Sequence, residues 1–190
     1  MPGPAPRIPN TSRPMPDQEP PPPILLFPDP HLRAKARPVG PGDADAVRDL
    51  APRMLESMYR APGIGLAAPQ VGVGLRLVVV DLQRDEQRTP VVLVNPEVVA
   101  ASAEEAVREE GCLSLPGHYA DVSRPALVKV RFHDLSGARR EMEADGLLAT
   151  CLQHEIDHLD GVLFVDHLSP LKRNMILRRI AKERKQKERA

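Results

Sequence analysis

Two histidines and one glutamate in residues 153–158, QHEIDH, have the spacing with which a helix binds a metal ion. His154 and His158 are four residues apart, so both side chains project from one face of a helix. Two imidazoles placed in this way can bind a single ion, and Glu155 then stands beside that ion as a proton acceptor. The alternative is a pair of core histidines satisfied by other hydrogen bonds. We favour the metal site, which needs at least one further ligand.

Three residues elsewhere in the chain are candidates for the missing ligand, and two of them lie downstream. One known extension of the motif places a third histidine six residues after His158, but Phe164 occupies that position. Glu183 fits the arrangement in which a later glutamate is the ligand, although it lies in a strongly basic segment. His167 is close in sequence but lies in residues 162–168, which we predict to be a strand or an extended segment.

Cys112 is the upstream candidate and lies in EEGCLSLPG, residues 109–117. Gly111 before it and a Pro-Gly pair after it predict an irregular loop. A thiolate there would complete a Cys/His/His site and leave a fourth position open to water. The other cysteine, Cys151, falls on the same helix face as the two histidines. The N-terminus lacks the apolar segment of a signal peptide, so we expect both thiols to be free or metal-bound rather than in a disulfide.

Three helices and several short strands must position these residues. Apolar residues at helical spacing predict a helix over residues 43–60, in which Pro52 should cause a kink or move the start. A second helix, residues 146–159, carries the HExxH motif, and a third begins at Ser169-Pro170. Short β-branched runs predict strands at residues 75–81, 90–95, 126–134 and 139–146. Because strands and helices do not alternate regularly, we predict an α+β fold, with antiparallel sheets packed around the HExxH helix and a C-terminal helix.

Composition divides the 190 residues into three parts. Residues 1–23 hold ten of the 22 prolines, so we expect an extended or disordered N-terminal extension. Residues 24–170 suit one catalytic domain with an aliphatic core, since the chain has no Trp and three Phe. Residues 171–190 carry nine Lys or Arg and two Glu, which predicts a basic helix that binds a polyanion or is merely solvated. No apolar run approaches the ~20 residues of a membrane span, so we expect a soluble cytoplasmic protein without a membrane partner.

Three segments taken together resemble the signature motifs of peptide deformylases. They are GIGLAAPQ at residues 63–70, EGCLSLP at residues 110–116 and QHEIDHLDG at residues 153–161. The first alone would indicate a plain glycine turn, but the three occur in the family's order and approximate spacing. The resemblance covers about residues 24–170. It implies a metal-dependent hydrolase that removes the N-formyl group from the N-terminal formylmethionine of newly synthesised polypeptides and releases formate.

The resemblance also implies which residues carry the chemistry. Cys112, His154 and His158 match the positions that hold one divalent ion, usually Fe²⁺, which Zn²⁺, Ni²⁺ or Co²⁺ can replace. Glu155 matches the residue that moves a proton from the attacking water to the leaving amine. In bacterial members a C-terminal helix can dock on the ribosome near the exit tunnel. The basic segment 171–190 is therefore expected to contact ribosomal RNA.

Further positions match the substrate site of the family. Gln70, through its side-chain amide, and Leu113, through its backbone N–H, would stabilise the oxyanion. The positions that match substrate-contacting residues are Ile64, Gly65, Glu110, Gly111, Leu147 and Cys151. Of these, Ile64, Leu147 and Cys151 would form the apolar slot for the methionine side chain. The glycines of the first motif would let a substrate strand approach, and Glu110 would support the Cys112 loop. We also expect Arg124 to pair with an acidic residue near the site.

Two other functions stay open as alternatives. A metallopeptidase that cleaves internal peptide bonds shares the HExxH motif and would use Glu183 or His167 as its third ligand. A non-catalytic metal-binding module of the translation apparatus would need the ligands but not Glu155. We favour the deformylase because three co-linear motifs carry it rather than one.

Overall fold

The computed structural model describes residues 19–190, so most of the predicted N-terminal extension, residues 1–18, lies outside the described residues. The described part of that extension runs along the first helix, α1 (Ala44–Arg60), where Ser57 Oγ donates to the Pro22 carbonyl at 2.6 Å. This helix begins one residue from its predicted start and continues through Pro52. The proline therefore does not move the start of the helix.

Antiparallel strands build two sheets in the described part of the chain. The strands in chain order are β1 (Gly65–Ala67), β2 (Leu77–Val80), β3 (Val91–Ala101), β4 (Glu105–Cys112), β5 (Leu115–Pro125), β6 (Val128–His133) and β7 (Arg139–Ala144). Five of them form one sheet in the order β1-β2-β3-β6-β7, and β4 and β5 form a separate hairpin. All neighbouring strands are antiparallel. The four strands predicted from β-branched runs correspond to β2, β3, β6 and β7.

The helix α2 (Gly146–Leu159) carries the HExxH motif and packs against the larger sheet. Its apolar side chains Leu152, Ile156 and Leu159 join a core of aliphatic residues from the strands, of which Val78 and Leu93 are fully buried. Eight of its 14 residues are buried, so the helix is enclosed rather than lying on the surface. The predicted α+β fold around the HExxH helix is confirmed.

The last helix, α3 (Pro170–Arg189), begins after Ser169, whose hydroxyl accepts a hydrogen bond from the Lys172 N–H at 3.3 Å. One side of α3 packs against a buried cluster that includes Cys112 and Phe164. Basic residues occupy the exposed remainder of the helix. Across residues 19–190, the helices are too short or too polar to cross a membrane.

The region around Cys112 differs from its prediction as an irregular loop. Strand β4 continues to Cys112, and β5 begins three residues later, with a shift of register after Gly111. The strand pattern is obscured in the sequence because the buried face of β4 ends in Glu110 and Cys112 rather than in aliphatic residues. Likewise, the glycine-rich segment at residues 63–70 contains β1 and the start of a 3-10 turn, Ala68–Val71.

The prediction of a strand or extended segment at residues 162–168 is also wrong. Residues Phe164–His167 form a 3-10 turn. The Asp166 side chain accepts a hydrogen bond from the Leu163 N–H at 2.9 Å, and this local bond favours a turn over a strand. The apolar residues of the segment that suggested a strand, including Phe164, are instead buried in the cluster beneath α3.

Gly161, directly after the C-cap of α2, allows a close approach that no other residue type permits. Its φ is +72°, and an added Cβ would overlap the backbone carbonyl of Arg33. We expect Gly161→Ala to lower the free energy of unfolding by about 2–4 kcal/mol, because backbone strain and overlap add together. Urea denaturation measures this change.

Gly137→Ala is the matched control, since Gly137 has a φ of +84° but nothing within 4 Å of an added Cβ. This variant should show the effect of backbone strain without overlap, so its free energy of unfolding should fall by only about 1–2 kcal/mol. Equal losses in the two variants would show that the contact with Arg33 does not matter.

Candidate active site

Three soft or borderline donor atoms converge where the hairpin meets α2. The Cys112 Sγ lies 3.3 Å from His158 Nε2, and His158 Nε2 lies 3.3 Å from His154 Nε2. All three donor atoms are within 4.8 Å of one another, and all three residues are buried. The end of β4 supplies the cysteine, and successive turns of α2 supply the histidines.

This donor set fits a single metal ion. Zinc–sulfur and zinc–nitrogen bonds of about 2.0–2.3 Å place neighbouring tetrahedral donors roughly 3.3–3.7 Å apart, close to the separations observed. Burial lowers the pKa of His158 well below its ordinary value and so favours the neutral ring that a ligand requires. For His154, hydrogen bonds with Cys112 and Glu110 outweigh burial and raise the pKa well above its ordinary value, so metal binding there would have to displace a proton. The other side of the His154 ring is fixed, because its Nδ1 lies 2.9 Å from Glu110 Oε1. An anchored outer nitrogen is typical of a metal-binding histidine.

The two downstream candidates for the third ligand lie elsewhere. Glu183 is on α3, with its carboxylate 3.1 Å from His118 Nε2. His167 lies beside α2, with Nε2 2.8 Å from Asp157 Oδ2. Neither belongs to the group of converging donors. Of the three candidates, the structure brings only Cys112 to the histidines.

Glu155 lies beside the donors, and one of its carboxylate oxygens has no hydrogen-bond partner among the described residues. Its side chain is 5% exposed, and Oε2 has no hydrogen-bond partner within residues 19–190. Burial raises the pKa of Glu155 to about 7. A carboxylate with a pKa near neutrality can both accept and return a proton at physiological pH. Its position and environment therefore suit a general base.

Gly65 allows β1 to lie directly against this carboxylate. A Cβ at Gly65 would be 2.6 Å from Glu155 Oε1 and 2.8 Å from Cys151 Sγ. From the sequence, the approach of a substrate backbone is the expected reason for a glycine at this position. The packing of β1 on α2 adds a second reason, because any larger residue would displace the glutamate.

Gln70 is held rigidly beside the cysteine. Its Oε1 accepts a hydrogen bond from the Ala67 N–H at 2.9 Å, and its Nε2 donates to Ser114 Oγ at 3.1 Å. The same Nε2 lies 3.6 Å from Cys112 Sγ. Leu113 lies between the cysteine and Ser114, at the turn of the hairpin. Ser114 was not among the residues predicted for the site, although its position two residues after the cysteine was a usable signal.

A largely buried ionic network holds the His154 ring on the side away from the other two donors. Arg124, on β5, donates to both oxygens of Glu110 at 2.7 and 2.9 Å and to Asp157 at 2.8 Å. Burial would raise the pKa of Glu110, but hydrogen bonds from His154 and Arg124 outweigh it and lower the pKa to about 2. The expected pairing of Arg124 with an acidic residue is confirmed. Asp157 was not predicted as a site residue. It lies inside the HExxH motif, in which only the two histidines and the glutamate were assigned roles.

A cavity of about 640 Å³ opens onto the donors. Its lining contains the predicted residues Ile64, Gly65, Gln70, Glu110, Gly111, Cys112, Leu113, Leu147, Cys151, His154 and Glu155. His158 lies deeper, with 1% exposure. Cys112 and Cys151 are both free, and burial raises the pKa of the Cys151 thiol well above its ordinary value. Cys151 is therefore a neutral wall of the cavity.

Comparison with known proteins identifies the family of the chain. The sequence profile of the polypeptide deformylase family matches residues 21–174. The chain belongs to this family. A peptide deformylase of Rhizobium meliloti is 55% identical over 164 residues, which cover 86% of this chain and 94% of the relative. The fold agrees as well, since two solved deformylase structures superimpose closely.

The first solved structure is a peptide deformylase from Legionella pneumophila, with a TM-score of 0.80 and 48% identity over 88% of this chain and 97% of the other. The second, from Synechococcus elongatus in complex with actinonin, has a TM-score of 0.79 and 45% identity over 86% and 89%. As a deformylase, the protein is a metal-dependent hydrolase that removes the N-formyl group from nascent formylmethionyl polypeptides. The metallopeptidase alternative is not favoured.

Arg124 provides a test of the deformylase's buried network. We expect Arg124→Ala to lower the free energy of unfolding by about 3–5 kcal/mol, because it leaves the buried carboxylate of Glu110 without its arginine partner. Arg124→Lys keeps the charge but not the forked pairing with Glu110, so an intermediate loss is expected. Chemical denaturation of metal-loaded protein measures both.

Arg131→Ala is the control, since Arg131 pairs with Glu141 at 3.1 Å on the surface. Its loss should be below about 1 kcal/mol. An Arg124→Ala variant no less stable than this control would contradict the structural role of the network.

Proposed function

We propose that Cys112, His154 and His158 hold the divalent ion of this deformylase, and that Fe²⁺ is the native ion. The convergence of the three buried donors supports this assignment. A thiolate with two imidazoles suits Fe²⁺, and also Zn²⁺, Ni²⁺ or Co²⁺ as substitutes. The preference for Fe²⁺ rests on the resemblance to other deformylases. When bound, the ion supplies a Lewis acid that makes water nucleophilic near neutral pH and polarises the formyl carbonyl.

Glu155 is proposed as the general base and acid. It takes a proton from the attacking water and delivers it to the departing amine of methionine. The observation that carries this proposal is its unpartnered Oε2, which lies buried beside the three donors. Its pKa of about 7 makes both transfers accessible at one pH.

Gln70 and Leu113 are proposed to stabilise the oxyanion that forms on the formyl oxygen. The Gln70 amide is held by the Ala67 N–H and Ser114 Oγ, which fixes its Nε2 beside Cys112. The backbone N–H of Leu113 would be the second donor. Losing one such donor typically costs about 2.7–4 kcal/mol in the barrier. In this scheme Ser114 acts by positioning Gln70.

The substrate is proposed to bind as an added strand beside β1. The Asp81 N–H donates to the Ile64 carbonyl at 2.8 Å, so Ile64 faces β2. Hydrogen-bonding groups alternate along a strand, and those of Gly65 therefore face the open edge at the cavity. The methionine side chain would occupy the slot formed by Ile64, Leu147 and Cys151. Glu110 and Gly111 would border the opposite side.

Two substitutions test the assigned roles. Glu155→Ala should lower formate release from a formyl-Met peptide at least about 100-fold while the protein keeps its metal, because only proton transfer is removed. Cys112→Ser should lose the metal as well as the activity, because a ligand is removed. Elemental analysis of anaerobically prepared protein measures the metal, with iron expected in the most active preparation.

Unchanged turnover in Glu155→Ala would contradict its role and favour a binding module. Retention of metal by Cys112→Ser would contradict its role as ligand. Replacing iron with zinc in unmodified protein provides the comparison for the native ion. Higher activity of the zinc form would overturn the preference for Fe²⁺.

We further propose that residues 24–170 are the catalytic domain, that the protein acts in the cytoplasm, and that the basic helix at residues 171–190 contacts ribosomal RNA. Nine basic residues within that segment, all of them exposed, support this contact. Nascent polypeptides emerge at the ribosome, so binding there would place the enzyme beside its substrate.

Neutralising four exposed basic residues of α3 tests the ribosome contact. The four changes are Arg178→Gln, Arg179→Gln, Lys182→Gln and Lys185→Gln. We expect the slope of log affinity for ribosomes against log salt to fall by about 3, since each phosphate contact contributes roughly 0.7–0.9. Sedimentation across a salt series measures this slope.

A control variant changes four exposed basic residues outside α3 to Gln. They are Lys35, Arg48, Arg84 and Arg139. If both variants lose the same slope, the contact depends on total charge rather than on α3. If neither loses any, the ribosome contact is wrong.

A further inference from the structure

The segment between β2 and β3, residues 81–90, is a strained loop next to the motif at residues 63–70. Gln83, Asp85 and Glu86 have φ values of +50°, +54° and +60°. Residues other than glycine seldom adopt such values, and they persist only where surrounding contacts fix them. Strained residues of this kind cluster near functional sites. The contacts that hold this loop therefore indicate what the loop supports.

Asp81 fixes the loop from its base and is 1% exposed. Its carboxylate accepts hydrogen bonds from the Gln83 N–H at 2.9 Å and the Thr89 N–H at 3.1 Å, near the two ends of the loop. It also accepts one from the Tyr59 hydroxyl of α1 at 2.5 Å. Burial would raise the pKa of Asp81, but hydrogen bonds from Tyr59 and the two backbone donors outweigh it and lower the pKa. An ionised carboxylate therefore joins both ends of the loop to α1.

Gln83 connects this loop to the motif at residues 63–70. Its Nε2 donates to the Gly63 carbonyl at 3.0 Å. The Asp81 N–H donates to the following carbonyl, that of Ile64, at 2.8 Å. On its other side, the Gly63 N–H donates to the Met58 carbonyl at 2.8 Å, at the end of α1. Both polar groups of Gly63 are thus held, and Gln83 is the side chain that holds its carbonyl.

This series of contacts ends at the cavity. Gly63 and Ile64 line the cavity, whereas Gln83 lies outside its lining. Gly63 also contacts Leu113, because an added Cβ there would be 2.6 Å from Leu113 Cδ1. Gly65, the first residue of β1, follows directly. A side chain outside the cavity therefore fixes the backbone from which β1 starts.

We propose that Gln83, itself fixed by Asp81, is a positioning residue that holds the edge of β1 in place for the formylated peptide. This inference rests on the proposed binding of the substrate beside β1. A displaced edge weakens backbone hydrogen bonds that the substrate makes in the ground state and in the transition state alike. Loss of such bonds raises KM and leaves kcat nearly unchanged. A smaller folded fraction does the opposite, since it lowers the apparent kcat at constant KM.

Gln83→Glu tests the inference, because it keeps the size of the side chain but replaces the donor N–H with a carboxylate oxygen that faces the Gly63 carbonyl. For formate release from formyl-Met-Ala-Ser, we expect KM to rise by about three- to tenfold and kcat to stay within about twofold. Gln83→Ala removes the donor without adding repulsion, so its KM should rise less.

The matched control is Gln87→Glu, which makes the same change at an exposed residue of the same loop. Its KM should stay within about twofold of the unmodified value, because it adds the charge without removing the bond to Gly63. An unchanged KM in Gln83→Glu would overturn the inference. So would an equal rise in Gln87→Glu, or a loss confined to kcat.

A double variant tests the coupling of Asp81 to Gln83. Asp81→Asn should also raise KM, because a neutral amide is a weaker acceptor for the two N–H groups of the loop. Adding Gln83→Glu to Asp81→Asn should raise KM by less than the product of the two separate factors. Factors that multiply in full would show that Asp81 does not act through Gln83.

Hydrogen exchange separates this inference from the proposed mode of substrate binding, because it needs neither substrate nor turnover. Deuterium uptake by residues 61–71 of metal-loaded protein should be faster in Gln83→Glu than in unmodified protein or Gln87→Glu. Unchanged uptake would contradict the positioning role itself. Faster uptake with an unchanged KM would instead contradict substrate binding beside β1, and the inference would fail with it.

Discussion

The burial of charge behind the donor cluster is the constraint on which the site depends. Arg124 is 5% exposed and pairs with Glu110 and with Asp157 at the same time. Ions removed from water cost several kcal/mol each unless their partners and geometry are nearly complete. The arginine comes from β5, Glu110 from β4 and Asp157 from α2, so the pairing fixes the hairpin on the helix. That placement brings Cys112 to the histidines, while Glu110 also holds the His154 ring.

The same network separates the roles of two carboxylates close to the donors. Glu110 receives hydrogen bonds from Arg124 and His154, and its pKa falls to about 2, so it is permanently ionised. Glu155 receives none at Oε2, and burial raises its pKa to about 7. The environment rather than the residue type therefore decides which glutamate stays ionised and which has a pKa suited to proton exchange near neutral pH. Gly65 preserves this division, because a side chain there would push Glu155 from its position.

How far the sequence predicts the structure depends on which signal a segment carries. Helices α1, α2 and α3 follow from their apolar periodicity and N-terminal residues, and β2 and β3 follow from β-branched runs. The hairpin of β4 and β5 could not be found in this way, because its buried positions include Glu110 and Arg124, which become buried only through each other. The segment Phe164–His167 has the composition of a strand but forms a 3-10 turn. The hydrogen bond from the Leu163 N–H to the Asp166 carboxylate favours the turn.

The candidate site was more predictable than the fold around it. Helical geometry alone places His154 and His158 together, whereas bringing Cys112 to them requires a contact between residues more than forty positions apart. Spacing left Cys112, His167 and Glu183 as alternatives, and only the resemblance chose among them. Ser114 and Asp157 escaped both approaches, because each acts on a functional residue through a hydrogen bond that no local pattern encodes.

The basic helix α3 packs against the rest of the enzyme, although its surface is much more positively charged. Ile176, Leu177 and Ile180 pack on the cluster that contains Cys112, while the basic residues face outward. The boundary at residue 170 therefore marks a change in surface charge, while the hydrophobic contacts continue from the catalytic domain into α3. Deleting α3 would expose the cluster that contains Cys112, so loss of activity after deletion would not identify a lost partner. Changing charges on the outer face leaves that packing in place and isolates the electrostatic contribution.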